Sequence, residues 1–248
     1  MAKVFSVFNL IAVILVLILS FLLYDRNAPS GPFDFYIISF RWPQSYCNPP
    51  GVKCETPIKD YFTIHGIWPQ YNPNTQVPPF NKSGCTTTTP TPVAGITQQL
   101  LAPILGDMTN YWPNLQKYSI IQPNLVFWQS EWKKHGMCFT NPDQPLQYFQ
   151  VALNYIQQHN LLDILKNSDP PIVPDDTETY DRDRIRTVIG SSSVGVLPEI
   201  HCNKETPTAT EQLMEIRICF DNKNAPINCP TPFSPGCGTT QSIRFPKA

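Results

Sequence analysis

Three kinds of apolar pattern run along the chain. The first is continuous. Val4 to Leu23 is almost wholly apolar, with Lys3 before it and Tyr24, Asp25 and Arg26 after it. A basic start, an apolar stretch and a polar flank form the pattern of a secretory signal, and Ala28-Pro29-Ser30 offers small residues for processing before Gly31. Residues 1–30 are expected to be a signal peptide and residues 31–248 the mature domain. The run is also long enough to span a bilayer, but an extracellular type of domain after it favours cleavage over anchoring. The second pattern has a period of two. Phe33 to Phe40, Tyr61 to Ile64 and Leu213 to Phe220 are rich in β-branched or aromatic residues and bounded by turn formers, which predicts strands. In Met214-Glu215-Ile216-Arg217-Ile218, apolar residues alternate with charges, as in a half-buried strand. The third pattern is helical. Leu146, Phe149, Leu153 and Ile156 recur at helical spacing and predict a helix over Pro145–His159. Thr97–Met108, Val126–His135 and the shorter Arg182–Ile189 are further helix candidates. Strands at both ends with helices mainly between them predict an α+β fold, a central antiparallel sheet packed with several helices. The 27 prolines of the 248 residues are spread throughout, so many loops and short elements are expected. Thr86 to Pro92 reads as an exposed loop, and no linker divides the mature chain.

Composition narrows the setting. All 8 cysteines follow the apolar run: Cys47, Cys54, Cys85, Cys138, Cys202, Cys219, Cys229 and Cys237. An even number behind a secretory signal implies disulfides in an oxidising compartment, and therefore a secreted, extracellular or other secretory-pathway protein. Eight cysteines allow 105 pairings, so spacing alone leaves the connectivity open. There is no C-x-x-C pair to suggest a zinc site. Asn81-Lys82-Ser83 is a glycosylation acceptor within a polar, proline-rich stretch. Without Lys3, Asp25 and Arg26, 16 basic and 18 acidic residues remain, a net charge of −2. That balance speaks against bulk electrostatic coating of nucleic acid, so a nucleic-acid substrate would be gripped by a local site.

Candidate chemistry gathers around two of the four histidines. One lies in Phe62-Thr63-Ile64-His65-Gly66-Ile67-Trp68-Pro69. This reads as a strand ending at His65, with Trp68-Pro69 closing a turn and the indole offering a flat surface on which a base could stack. The other lies in Phe127-Trp128-Gln129-Ser130-Glu131-Trp132-Lys133-Lys134-His135-Gly136-Met137-Cys138. On a helix Glu131 and His135 share a face, Lys134 adjoins it, and Gly136 ends the helix. Taken singly, the first segment reads more simply as a core tryptophan beside a buried histidine, and the second as a solvated charged face. Phe127, Trp128 and Trp132 make the second too apolar for an ordinary surface helix, and charged groups on a half-buried helix are candidates for function. Neither segment is H-E-x-x-H, and a lysine beside the second histidine would repel a cation, so no metal and no cofactor are expected. His159 and His201 read as helix surface and as structural.

Together the two segments resemble the active-site signatures of the ribonuclease T2 family, approximately H-G-L-W-P and E-W-x-K-H-G-T-C. The likeness extends over roughly Phe33 to Pro246. It includes Arg41-Trp42-Pro43 and the Cys-rich end around Ile218-Cys219-Phe220. The resemblance implies a metal-independent endoribonuclease that cuts single-stranded RNA through a 2′,3′-cyclic phosphate. His135 would be the general base, His65 the general acid, Lys134 a stabiliser of phosphoryl charge, and Glu131 an orienting group. It also implies base contacts at Trp68 and Gln70 on one side of the cut and at Asn114 and Phe127 on the other. Arg41 joins the base-binding set where several relatives carry glutamine. Ser130 stands where many relatives have a third histidine, and Met137 where threonine is usual. The family pattern implies the pairs Cys47–Cys54, Cys85–Cys138, Cys202–Cys237 and Cys219–Cys229. Ser130 and Thr63 are similar to plant members, among them the self-incompatibility ribonucleases. A chain acting as a monomer is expected, with single-stranded RNA as partner. A role in self-incompatibility, rather than defence or phosphate recovery, would add a protein partner, for which 75–92 and 175–183 are the candidate surfaces. The rival to an enzyme is a recognition or storage protein on the same scaffold. Retention of both histidines, Lys134 and Glu131 favours the enzyme.

Overall fold

Alternation along β1 (Phe35–Arg41) decides which face of the sheet becomes core and which becomes site. Tyr36, Ile38 and Phe40 point into the main apolar core, while Phe35 and Ile37 join a smaller cluster on the opposite face. The computed structural model describes residues 33–117 and 121–247, which belong to one unit, Pro32–Ala248. The expected signal peptide, 1–30, lies outside the described residues.

Seven further strands complete one sheet: β2 (Thr63–Tyr71), β3 (Thr75–Gln76), β4 (Asp175–Asp181), β5 (Glu199–Lys204), β6 (Glu211–Asp221), β7 (Pro226–Ile227) and β8 (Ser242–Phe245). The main path runs β3-β2-β1-β6-β8-β4, and β5 and β7 also pair with β6. Every pairing is antiparallel except that of β6 with β8, which run parallel at Gln212 and Arg244. The fold is α+β as the pattern predicts, with a sheet that this one parallel contact makes mixed.

The main helices are α1 (Leu105–Tyr111), α2 (Pro123–Lys134), α3 (Pro145–Gln158), α4 (Leu161–Lys166) and α5 (Arg182–Gly190). α3 packs on β2 and buries Tyr148, Phe149, Ala152, Leu153 and Ile156 in the main core, which also holds Ile38, Phe40, Ile216 and Ile218. Burying each large side chain there contributes roughly 1.5–3 kcal/mol. The helix expected over Thr97–Met108 is broken into Gln98–Leu101, a 3₁₀ turn at Ala102–Ile104, and α1. Pro103 sits at the break, where it has no N–H to continue the hydrogen-bond ladder. β3, β4, β5, β7 and β8 go beyond the predicted strands. β4 (DDTETYD) has no apolar alternation because it is an exposed edge strand.

The larger departure is β2. It does not stop at His65 and turn at Trp68-Pro69; it continues to Tyr71. Its pairing with β1 steps from Ser39↔Gly66 to Phe40↔Ile64 and leaves His65 without a partner. His65 is thus the extra residue of a β-bulge, a device that bends a strand and re-aims a side chain. The bulge also shifts the alternation. Ile64 and Ile67, three residues apart, both pack in the main core, while Trp68 faces the opposite side. Pro69 is tolerated because the outer neighbour, β3, pairs only at Gln70 and Tyr71.

Four disulfides join Cys47 to Cys54, Cys85 to Cys138, Cys202 to Cys237 and Cys219 to Cys229. Asn81 is exposed within the short helix Phe80–Ser83.

Candidate active site

The second face of the sheet carries a row of polar side chains: Arg41 on β1, His65 on β2, and Glu215 and Arg217 on β6. Glu215 is 1% exposed and is the hub of the row. His65 Nδ1–H donates to Glu215 Oε1 at 2.7 Å. Arg41 Nε and Nη2 each lie 3.3 Å from the same oxygen. Arg217 Nε and Nη2 donate to Oε2 at 3.0 and 2.8 Å. The charges of β6 therefore alternate as expected but do not face solvent. They face a buried ionic cluster, because the opposite side of the strand is already filled by Ile216 and Ile218. Glu215 is the buried residue at this site that the two motifs do not name. Its only signal was a charge alternating in a strand otherwise apolar enough to be central.

Local structure fixes His65 from both sides of its bulge. Its carbonyl, unpaired by the bulge, accepts from Trp112 Nε1 at 3.0 Å. Its ring lies 4.9 Å from the Trp68 ring, edge on.

α2 starts at Pro123, where proline fits the first helical position. Trp128 and Trp132 enter the main core, and their indoles donate to the carbonyls of Trp112 at 2.7 Å and Thr91 at 2.8 Å. This anchoring carries Glu131, 3% exposed, to the sheet, where Trp68 Nε1 donates to its Oε2 at 3.3 Å. The helix ends at Lys134, and His135 caps it with non-helical backbone. Gly136 does not end the helix through a left-handed turn. A β-carbon there would stand 2.1 Å from the Trp132 ring, so glycine is required for close approach. His135 is 6% exposed. Its Nε2 lies 3.9 Å from Glu131 Oε2, its Nδ1 lies 3.5 Å from the Gln76 amide, and its ring lies 5.9 Å from Trp68.

Burial governs the protonation of these groups. It lowers His65 to about 4, helped by Arg41 and opposed by Glu215. It lowers His135 to about 3, helped by Lys134 and His65. It raises Glu131 to about 7 against the Trp68 hydrogen bond and Lys134. Burial would raise Glu215 too, but His65, Arg41 and Arg217 hold it well below the usual carboxylate range.

A cavity of about 420 Å³ opens beside this cluster, lined by His65, Glu131 and Lys134 together with Arg41, Asn114 and Phe127. Two expected base-contact residues lie elsewhere. Trp68 does not present an open stacking surface: it is 9% exposed, packs in the smaller cluster, and has the Arg217 guanidinium over its ring at 4.9 Å. Gln70 is 4% exposed and turns back to the Trp68 carbonyl at 3.4 Å. Both residues follow the bulge on a strand that is covered, so neither side chain opens onto the cavity. Ser130 lines the cavity and Met137 packs against the main core. His159 caps α3 and contacts Ser193. His201 pairs across the sheet with Glu215. Among the described residues no group of His, Cys, Asp and Glu side chains is arranged to hold a metal ion.

The His65 imidazole, the Lys134 ammonium and the Glu131 carboxylate of raised pKa line one cavity, whereas His135 is not among its lining residues and is buried next to Glu131; together the four make an acid–base site with an anion-stabilising group. The fold and the sequence specify the class further. The model of the Ribonuclease T2 family matches residues 33–229. Extracellular ribonuclease LE of Solanum lycopersicum is 35% identical over 223 residues, 86% of this chain and 87% of its own. Ribonuclease S-2 of Antirrhinum hispanicum is 32% identical over 212 residues, 84% of this chain and 80% of its own. The solved structure of RNase NT in complex with 5′-AMP matches with a TM-score of 0.69 at 30% identity, over 87% of this chain and 99% of that one. The chain belongs to the Ribonuclease T2 family and is an RNA-cleaving endonuclease.

Proposed function

We propose that the enzyme cleaves single-stranded RNA without a metal, by transphosphorylation to a 2′,3′-cyclic phosphate. His135 takes the proton of the 2′-hydroxyl, whose oxygen attacks phosphorus, and His65 gives a proton to the departing 5′-oxygen. Lys134 lines the cavity and offsets the charge that grows on the phosphoryl oxygens. Glu131, with a pKa near 7, is placed to orient that group as donor or acceptor. One observation carries the reading. Trp68 lies between the two imidazoles, with ring distances of 4.9 and 5.9 Å, and its indole N–H holds the carboxylate beside them. Long contacts at His135 are usual for a catalytic base without substrate, because such hydrogen bonds tighten when substrate binds. DNA lacks the nucleophile and is expected to be inert. Asn114 and Phe127, at the cavity wall, are the proposed base contacts.

Secretion is part of the proposal. The apolar start of the chain, four disulfides and an exposed acceptor at Asn81 support passage through an oxidising compartment to an extracellular site. The test is digestion of RNA by the oxidised protein in EDTA, with His65→Ala and His135→Ala alongside. Cyclic phosphate ends that vanish in both variants are expected. Folded protein that leaves RNA intact would instead indicate a silent recognition protein on this scaffold.

A further inference from the structure

The cluster behind His65 is larger than a motif-level mechanism uses. Arg217 donates not only to Glu215 but also, through Nη1 at 3.0 Å, to Glu199, which is 1% exposed. Glu199 in turn accepts from Asn74 at 2.8 Å and Thr231 at 2.7 Å. Every oxygen of both carboxylates thus has a donor, as buried charges require. The charges also balance. Arg41 and Arg217 cancel Glu215 and Glu199, so the cluster is neutral when His65 is unprotonated. Lys134 and an ionised Glu131, on α2, cancel in the same way. His201 on β5, opposite Glu215, is held neutral by burial, and His135 is neutral for the same reason. A proton on His65, although hydrogen-bonded to Glu215, therefore leaves the cluster with a net positive charge until an anion arrives in the cavity that His65 lines.

We propose that Glu215 is a positioning residue for His65, and that the Arg41–Glu215–Arg217–Glu199 cluster makes protonation of His65 conditional on a phosphodiester in the cavity. The inference rests on His65 being the general acid. Glu215 accepts from Nδ1–H, which fixes the tautomer and leaves Nε2 as the atom that carries and gives the catalytic proton. The two arginines keep Glu215 ionised, so it cannot take that proton itself. The arriving phosphodiester supplies the missing negative charge. The acid is charged when substrate is present and neutral when the cavity holds none.

Glu215→Gln tests the positioning role. The glutamine keeps the size and loses the charge, so His65 binds its proton less well. The alkaline limb of the kcat profile should fall by about one pH unit, and kcat at neutral pH by about tenfold, with KM nearly unchanged. A wild-type pH profile in this variant overturns the positioning role. Because this substitution leaves two arginines less well compensated, a second measurement uses the unaltered protein. The His65 ring is titrated by NMR with and without a dinucleoside phosphate that lacks the 2′-hydroxyl. Saturation should raise its midpoint by about one pH unit or more. A midpoint that stays in place overturns the conditional protonation. His65→Ala separates this inference from the reading beneath it. If that variant still makes cyclic ends at the wild-type rate, the general-acid assignment fails. If it is inactive while Glu215→Gln keeps the wild-type profile, only the inference fails.

Discussion

At the scale of single residues, the site is governed by the cost of burying charge. His65 and His135 are lowered to about 4 and about 3, mainly by desolvation. The general acid must start protonated, so activity is lost as pH rises through the pKa of His65. The general base must start unprotonated, so activity is lost as pH falls through that of His135. A kcat/KM profile reports the free enzyme, and its bell is therefore expected well on the acid side of neutrality. In the substrate complex the phosphodiester anion favours both imidazolium forms, so the kcat bell should lie at higher pH than that of kcat/KM. The check is initial rates on a dinucleotide across the acid and neutral range at constant ionic strength. An optimum of kcat/KM above neutrality would show that the histidines do not carry the roles assigned to them. None of this was legible in the sequence beyond the identity of the groups. The motifs name His65, Glu131, Lys134 and His135, but the burial that sets their protonation comes from Trp68, Trp132 and the sheet.

At the scale of elements, legibility follows periodicity. α3 carries an unbroken period of 3.6 and β6 a period of two from Glu215 to Phe220, beyond the register shift at Met214, and both lie close to their predicted bounds. β2 is longer than predicted because a bulge breaks the period of two at the residue that does the chemistry. Glu215 is visible as an alternating charge, but nothing in the strand itself shows that the alternate face is buried; that depends on β1, β2 and β5 meeting β6. The bulge leads to a sharp prediction at Gly66. A β-carbon there would stand 2.4 Å from Glu131 Oε2 and 2.5 Å from Trp68 Nε1, between the partners of their hydrogen bond. Gly66→Ala must push the indole and the carboxylate apart, which moves α2 relative to β2. Misplacement of about 1 Å can cost on the order of 100-fold in rate. The variant is expected to lose about that much kcat while remaining folded, read by single-turnover kinetics beside thermal unfolding. Full activity in Gly66→Ala would mean that the Trp68–Glu131 contact does not position the site.

At the scale of the whole molecule, the question is how a chain of net charge −2 after its expected processing holds a polyanion. Long-range attraction cannot do it, since exposed charges are screened beyond about 8 Å at physiological salt. The four disulfides, with Cys85–Cys138 closing a loop of 53 residues and contributing about 4 kcal/mol, keep the site built before substrate arrives. Binding then depends on few cations. Of the two that line the cavity, Arg41 is paired with Glu215, and only Lys134 is exposed and takes part in none of the ion pairs among the described residues. Each phosphate neutralised on a single strand contributes about −0.7 to the slope of log affinity against log salt. One or two such contacts predict a slope no steeper than about −1.5 for a 2′-O-methyl oligonucleotide, which binds but cannot be cut. Equilibrium titrations from low to physiological salt measure it directly, and Lys134→Ala should flatten the slope by about 0.7. A slope steeper than about −3 would mean that lysines outside the cavity track the strand, and that the grip on RNA is distributed over the surface and not concentrated at the site.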